Sequence, residues 1–457
     1  MREQYVFLLL FSVAVKSLLV DFETIDNLLD GHILEVTKLL DRGNDLHNVQ
    51  DKANSLQNQT QLIHSKDKFL RTYDDLERVE YSLRSARAKI KEAKNKNVSV
   101  SDMDLTSEGS IYWNHVTFER SYKEMEKRLK IFIYEEGEPP IFHNGHCTNI
   151  YAIEGLFLQN IETSPFRTRN PSEAHLFFLP FSVTEIAMVV YQNDHKWGPM
   201  RKVAKDYVNV ISNKYTYWNR TMGADHFMVA CHDWGPEISF AIPSLVNNSI
   251  RGLCNANMSE RFNPLKDVSI PEIHLPTGTT KGLIGGPLPS KRTILVFFAG
   301  GNHGPVRPIL FKHWENKDPY VQVHQYLPKN MSYYKLVRKS KYCICASGYE
   351  VASPRMVEGI YMGCVPVLIK DHYALPFGDV LDWEKFAVII PVKEIPNLKK
   401  ILLEIPEEKY LEMHKNGLKV RRHFEVNYPP KRYDVFHMIL HSIWLRRLNV
   451  HLHSLQS

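Results

Sequence analysis

The strongest constraint in this chain is a pattern repeated through its second two-thirds: short, almost wholly apolar runs separated by segments of helix length. Leu129–Tyr134, Ala174–Pro180 and His226–Cys231 form one group. Thr293–Ala299, Val321–His324, Tyr342–Ala346, Val365–Ile369 and Ala387–Pro391 form a second. A strand apolar at nearly every position has no face to give to water, so it belongs in a parallel sheet covered by helices on both sides. A loop-rich stretch through Gly278, Gly282, Gly285 and Gly286 parts the two groups. The pattern predicts an α/β fold with two doubly wound, Rossmann-like domains, 128–285 and 286–457, facing each other across a cleft. A long helix is expected around Gly198–Lys214, and a terminal helix closes the second domain. Ligands in such sheets sit beyond the carboxyl ends of the strands.

Upstream, residues 21–127 read as a helical stem. Leu62, Phe69, Leu76, Leu83 and Ile90 recur every seven residues, with Val79, Ala86 and Ala93 at the partner position. This trace over 62–93 suits a coiled coil that pairs with a copy of itself, or a single amphipathic helix lying on the main body. Residues 1–20 are apolar from Tyr5 onward apart from Ser12, Lys16 and Ser17. About 20 apolar residues span a bilayer. An uncleaved signal-anchor is preferred to a cleaved signal peptide, because Ala14-Val15-Lys16 makes a poor small-x-small cleavage site; a buried helix is the third reading. Sequons at Asn58, Asn97, Asn219, Asn247, Asn257 and Asn330, together with that segment, favour a lumenal or extracellular body.

The six cysteines are too few for a disulfide scaffold. A disulfide within Cys147, Cys231 and Cys254 is plausible, without a pairing being fixed. Cys343 and Cys345, two apart in a strand, share a face and do not bridge each other; buried free thiols are expected for these two and Cys364. Lys and Arg total 57 against 51 Asp and Glu, and the resulting +6 is spread along 457 residues. A phosphate-tracking nucleic-acid binder would concentrate its basic charge, so no nucleic-acid partner is expected.

Three blocks carry candidate chemistry. In SGYEVASPRMVEGIYMGCVP, Ser353 is placed as the N-cap of a helix and Pro354 at its first position. The free amides of that turn attract an anion. Arg355 can fork onto a phosphate, and Glu358 lies one turn deeper on the same face. The plain alternative is an Arg–Glu pair on a surface face. In FFAGGNHGPVR, Gly300 and Gly301 let backbone approach a ligand and Arg307 adds charge. It is neither a P-loop nor a Rossmann glycine motif, and a simple tight turn is the alternative. In DHFMVACHDWGPE, the strand delivers His232 and Asp233 at its carboxyl end, where either could take a proton from a hydroxyl. The alternative has Asp233 capping a turn and His232 bonded to backbone; Asp225 is held in reserve.

Metal and hydrolase signatures are weak. His143, His146 and Cys147 resemble ligand spacing, but a loop histidine pair beside a disulfide candidate is the simpler account. Asp102-Met103-Asp104 is the one Asp-x-Asp triplet, and it lies in the polar stem. There is no CxxC, HExxH or GxSxG.

The segments HLFFLPF, DHFMVACHDWG, FFAGGNHG, and SPRMVEGIYMGCVPVLI followed by LPFGDVLDW resemble the exostosin-type (GT47) glycosyltransferases, most closely the plant branch that builds cell-wall polysaccharides. The similarity runs from about Arg128 to Leu445. It implies two Rossmann-like domains of the GT-B type, the first on the acceptor side and the second binding a nucleotide-sugar. It also implies inversion at the anomeric carbon, a UDP-sugar as co-substrate with no permanently bound cofactor, and a type II, single-pass Golgi membrane protein with its catalytic part in the lumen. Carried onto this chain, Ser353, Arg355 and Glu358 would hold the donor's phosphates and ribose, with Gly300, Gly301 and Arg307 nearby. Assigning the base to Asp233 and His232 rests on the residues alone. Helix amides and arginines can neutralise a departing nucleoside diphosphate without a metal. The expected activity is transfer of a sugar to a polysaccharide or glycan acceptor, with the stem open to homo- or hetero-oligomers. A non-catalytic scaffold subunit of a glycan synthase complex is the alternative. A carbohydrate hydrolase is a further one, and it needs two carboxylates about 5–10 Å apart.

Overall fold

The structure, a computed structural model, describes residues 74–94, 106–191 and 196–452. The signal-anchor segment 1–20, the first part of the heptad trace, the Asp102-Met103-Asp104 triplet and the sequons at Asn58 and Asn97 lie outside them. No helix among the described residues is long and apolar enough to cross a membrane. Apart from 74–77, the described residues all belong to one compact unit, Arg78–His453.

That unit contains two parallel sheets. The first comprises β1 (Ile131–Ile133), β2 (Arg167–Thr168), β3 (Leu176–Phe178), β4 (His226–Ala230), β5 (Ile250–Leu253) and β6 (Val268–Ser269), in the order β2-β1-β3-β4-β5-β6. The second comprises β7 (Ile294–Ala299), β8 (Val321–His324), β9 (Ser340–Ala346), β10 (Val365–Ile369) and β11 (Val388–Ile390), in the order β11-β10-β9-β7-β8. Every pairing is parallel. In the second sheet Val296, Phe298, Ile344 and Val367 enter one core cluster, and Phe297, Cys343, Cys345 and Leu368 enter the other. This period-2 division is what a sheet covered on both faces requires. The architecture is two parallel α/β lobes, as the apolar pattern predicts.

The helices that position the cleft are α1 (His115–Arg128), α2 (Ala152–Thr163), α3 (Trp197–Lys214), α4 (Val306–Trp314), α5 (Tyr333–Lys339), α6 (Arg355–Met362), α7 (Glu407–Val420) and α8 (Val435–Asn449). In α3 the buried residues Met200, Ala204, Tyr207, Val208 and Ile211 follow the helical period. The Asp434 side chain accepts from His437 N–H and starts α8.

The ends of this unit cross between the lobes. Helix α8, counted from the sequence with 286–457, returns to the first lobe. There Arg446 Nε donates to Asp267 O, Arg447 Nε donates to His175 O, and Phe436 meets Phe157 at 5.5 Å. Residues just ahead of α1 instead join the second lobe: Tyr112 bridges to Leu381, and its hydroxyl lies 2.6 Å from His423 Nε2. On the helix 74–94, Val79, Leu83 and Ala86 are buried in the chain's own core, and Glu80 pairs with Arg447 at 2.5 Å. Over this stretch the face marked by the seven-residue repeat is covered by the body, as the amphipathic-helix reading has it.

The cysteines correct the expectation for the second trio. Cys343 bridges Cys364, leaving Cys345 free, while Cys231 bridges Cys254, leaving Cys147 free. Parallel pairing of β9 with β10 brings Cys364, immediately before Val365, beside Cys343, a proximity that spacing along the chain does not reveal. The His143/His146 loop accordingly has no disulfide beside it. His143 faces Glu162 at 3.4 Å, and that carboxylate raises its pKa.

Candidate active site

A cleft of about 570 Å³ opens between the lobes. The first lobe lines it with Ile150, Asp233, Glu272 and His274, and the second with Ala299, Arg307, Tyr333, Glu350, Arg355 and Glu358, among others. Ala299 is the last residue of β7 and Arg355 the first of α6, so the second-lobe lining sits at a strand's carboxyl end.

Two arginines form the cationic wall. Arg355 Nε donates to Ala299 O at 3.0 Å, its Nη1 lies 3.4 Å from Ser353 Oγ, and its guanidinium stands 5.2 Å from the Phe298 ring centroid. Arg307 Nη1 donates to Gly301 O at 3.0 Å, and its guanidinium lies 5.7 Å from the same ring. Its Nε is buried without a hydrogen-bond partner among the described residues. Burial, then the neighbouring Arg355 charge, pull the Arg307 pKa down to about 10. Two adjacent guanidiniums, one with an unmet donor, form a seat for an anion.

The glycines explain how those arginines fit. A Cβ on Gly300 would stand 2.3 Å from Arg355 Nη2, and one on Gly348 3.0 Å from Arg307 Nη2. Gly304 has φ +69°, and a Cβ there would fall 1.6 Å from Gly348 O, so the two loops touch through backbone. Gly300, Gly301 and Ser353 thus contact the arginines rather than line the cleft. Helix α6 begins one residue later than the sequence suggests. Pro354 is its cap, without a side-chain capping bond, and the Ser353 hydroxyl turns to Arg355 instead.

Glu358 lies on the first turn of α6. Its Oε2 accepts from the Tyr333 hydroxyl at 2.7 Å, and its Oε1 stands 3.3 Å from His274 Nδ1. Each oxygen keeps a further lone-pair site, which suits a vicinal diol.

Across the cleft, the loop after β4 is pinned twice. The Cys231–Cys254 disulfide ties it to the end of β5. Buried Glu154 accepts from Cys231 N–H at 2.8 Å, Thr184 N–H at 2.9 Å and the Ser182 hydroxyl. Asp233 lines the cleft; burial pushes its carboxyl up, and a hydrogen bond from Tyr151 works the other way. His232 is not among the lining residues. Its Nδ1 accepts from Trp234 N–H at 3.1 Å, its ring packs 4.6 Å from Tyr151 and 4.8 Å from Trp234, and burial lowers its pKa to about 4. Asp225 precedes β4 at the opposite end, roughly 15 Å away at ~3.3 Å per residue. It is enclosed by Thr221 at 2.7 Å, His226 at 2.8 Å and Arg220 at 3.1 Å. Burial pushes its carboxyl up, but His226 and Arg220 outweigh burial and hold it down.

An Exostosin GT47 domain model matches residues 125–405, more than half of the chain. The chain belongs to the exostosin GT47 family. A "Probable glycosyltransferase" of Arabidopsis thaliana is 57% identical over 405 residues, covering 88% of this chain and 77% of that protein. "Probable beta-1,4-xylosyltransferase IRX10" of the same plant is 29% identical over 343 residues, 69% of this chain and 82% of that one. "Probable glucuronosyltransferase 47 A" of Physcomitrium patens is 31% identical over 343 residues, 69% and 75% respectively. The protein is a glycosyltransferase.

The GT47 cleft thus gathers Asp233, Arg307, Arg355 and Glu358. It also holds residues that sequence reasoning missed. Glu272 is 6% exposed; burial and then the Asp233 charge raise its pKa to about 8. Burial and Asp233 also raise Glu350 to about 8. Glu272 and His274 sit in PEIHLP, just after β6. A carboxylate among apolar residues bracketed by prolines was the available signal, but two-residue β6 gave no strand to anchor it. Among the described residues no group of three or more His, Cys, Asp or Glu is arranged to hold a metal ion.

Proposed function

We propose that this GT47 enzyme moves a sugar from a UDP-sugar donor to a hydroxyl of a polysaccharide or glycan acceptor in cell-wall synthesis, by inverting single displacement and without a metal. The observation that carries the reading is the paired Arg307 and Arg355 on Phe298, in the first turns of α4 and α6 and facing Asp233 across one cleft. The acceptor hydroxyl gives its proton to the Asp233 carboxylate as its oxygen bonds to the anomeric carbon. The bond from that carbon to the diphosphate breaks on the opposite face, and the charge developing on the departing diphosphate falls to the two arginines and the first turn of α6. Glu358 takes the ribose hydroxyls. Burial that raises the Asp233 pKa also makes it a better base.

A Golgi-lumenal, membrane-anchored setting belongs to the same proposal. Two disulfides suit an oxidising compartment, and Asn219, Asn247 and Asn330 are exposed. Asn257 is buried, with its side chain accepting from Ser259 N–H. The test combines UDP thermal protection with transfer to mixed glycan acceptors. Asp233→Asn should keep UDP protection while turnover falls about 10²–10⁴-fold. Full activity in Asp233→Asn would remove the base assignment, and no protection by UDP would remove the donor site.

A further inference from the structure

We infer that Tyr349 is the platform on which the acceptor sugar stacks, its ring receiving the C–H face of the unit whose hydroxyl attacks the donor. The inference rests on the transfer reading above and adds the group that positions the acceptor. Tyr349 lines the cleft and is 76% exposed, whereas the other lining tyrosines, Tyr333 and Tyr334, are half-buried. An aromatic face open to water inside a catalytic cleft has apolar area to give to a ligand, and fixing it costs only two side-chain torsions. A sugar ring is a fitting partner, since its ring hydrogens form an apolar face while its hydroxyls point outward. The Tyr349 ring is also held from behind. His303 packs against it with centroids 5.0 Å apart. A Cβ on Gly301 would stand 2.6 Å from His303 Nε2, so the second glycine of FFAGGNHG leaves the space that the imidazole fills. The backbone beneath is fixed as well: Gly348 N–H donates to Glu350 O at 3.0 Å, and Gly304 abuts Gly348 O.

Position separates the acceptor from the nucleoside. Glu358, tied to Tyr333 and His274, takes the ribose on the far side of Arg355. Tyr349 stands at the other arginine: a Cβ on its neighbour Gly348 would lie 3.0 Å from Arg307 Nη2. Its other neighbour, Glu350, faces the first lobe, where its carboxyl feels the charges of Asp233 and Glu260. Asn255 Nδ2 joins those two residues, donating to Asp233 O at 3.1 Å and lying 3.4 Å from Glu260 Oε2. The Tyr349 ring therefore lies between the diphosphate seat and the Asp233 loop, where the attacking hydroxyl has to be presented. Holding the acceptor in register there converts an encounter into an aligned attack.

The experiment compares Tyr349→Ala and Tyr349→Phe with the unaltered full chain. UDP thermal protection is read alongside UDP release from a panel of UDP-sugars, with and without a pool of cell-wall oligosaccharides as acceptor. Tyr349→Ala should raise the acceptor concentration for half-maximal rate about tenfold, equivalent to about 1.4 kcal/mol. UDP protection, acceptor-free UDP release and the rate at saturating acceptor should each stay within about threefold of the unaltered chain. Tyr349→Phe keeps the ring face and should leave the acceptor requirement within about threefold as well. An unchanged acceptor requirement in Tyr349→Ala overturns the inference, and so does a loss in Tyr349→Phe as large as in Tyr349→Ala. Weakened UDP protection in Tyr349→Ala overturns it too, by assigning the ring to the donor. Each of these leaves the transfer reading standing. Absence of acceptor-dependent UDP release from the unaltered chain removes the transfer reading, and the platform with it.

Discussion

Replacing Gly300 by alanine adds one methyl group, and the placement of Arg355 decides what that methyl does. The new Cβ would stand 2.3 Å from Nη2, 3.0 Å from Cζ and 3.4 Å from Nε of Arg355. Ordinary carbon–nitrogen contact lies near 3.5 Å, so the guanidinium has to retreat by about 1 Å. Retreat loosens the 3.0 Å bond to Ala299 O and the seat over Phe298. Gly300 is not among the residues with positive φ, so alanine adds no backbone strain. The displaced group is the end of a flexible side chain, and fold stability should change by less than about 1 kcal/mol. Catalysis should suffer far more, because a misplacement of about 1 Å in a positioning group costs on the order of 10²-fold. We expect kcat/KM for the UDP-sugar to fall about 10²-fold with the thermal midpoint nearly unchanged. A double-mutant cycle with Arg355→Ala isolates the cause. If the methyl acts through Arg355, the double variant should be no worse than Arg355→Ala alone by more than about threefold. Near-normal turnover in Gly300→Ala, or losses that multiply in the double variant, would refute the reasoning.

Two further outcomes concern the cleft carboxyls and the disulfides. Glu272 and Glu350 have folded pKa values of about 8 against 4.5 in the unfolded chain, so the folded state holds extra protons between those limits and they lower stability as pH rises. Buried His175, His423 and His441, near 3, and His232 and His414, near 4, act oppositely below 6.5. The thermal midpoint should therefore decline from about pH 6.5 toward 8.5, and Glu272→Gln should flatten that limb; an unchanged slope counts against the assignment. Cys231→Ser opens a bridge spanning 23 residues and should cost about 3 kcal/mol in denaturant unfolding. Cys364→Ser, spanning 21, should cost a similar amount but leave turnover less affected, since Cys231 adjoins the Asp233 loop; equal losses of turnover would deny the loop that role.

The legible parts of this fold were those governed by local pattern. Val321–His324 and Val365–Ile369 fall where their apolar runs place them, and Leu129–Tyr134 overshoots its strand at both ends. Strand β5 escaped notice because Arg251 and Gly252 interrupt it, yet Arg251 is fully buried, held by Asp267 at 2.6 Å and the Arg261 carbonyl at 2.7 Å. A buried ion pair makes a charged residue compatible with a core strand, and its partner lies 16 residues away, beyond any local window. The arginines were legible because a Ser-Pro-Arg helix start and a glycine turn after a strand are local signals. Glu272, Glu350 and the Cys343–Cys364 bridge depend on tertiary proximity, which spacing along the chain does not encode. His232 illustrates the converse: adjacent to Asp233 in sequence, it turns to the Trp234 amide behind the lining.

The cleft breaks the local rules that the rest of the molecule obeys, and its supports indicate why it can. Two guanidiniums side by side, and two carboxyls kept protonated by burial and by the Asp233 charge, are each unfavourable in an empty site. They persist because neither wall is free to relax. The cations are fixed to backbone carbonyls at the ends of strands and loops, while the Asp233 loop is held by a disulfide and by Glu154, a buried carboxyl surrounded by donors. The lobes are tied by chain segments that cross between them, with Arg446 and Arg447 of α8 on first-lobe carbonyls and Tyr112 on His423 of the second lobe. Charge kept unsatisfied in a rigid frame is reorganisation already completed before the reaction starts. A ligand that brings a diphosphate to the arginines and hydroxyls to the carboxyls relieves both sets at once. The same rigidity therefore explains why Gly300, which touches no substrate in this arrangement, should matter to turnover far more than to folding.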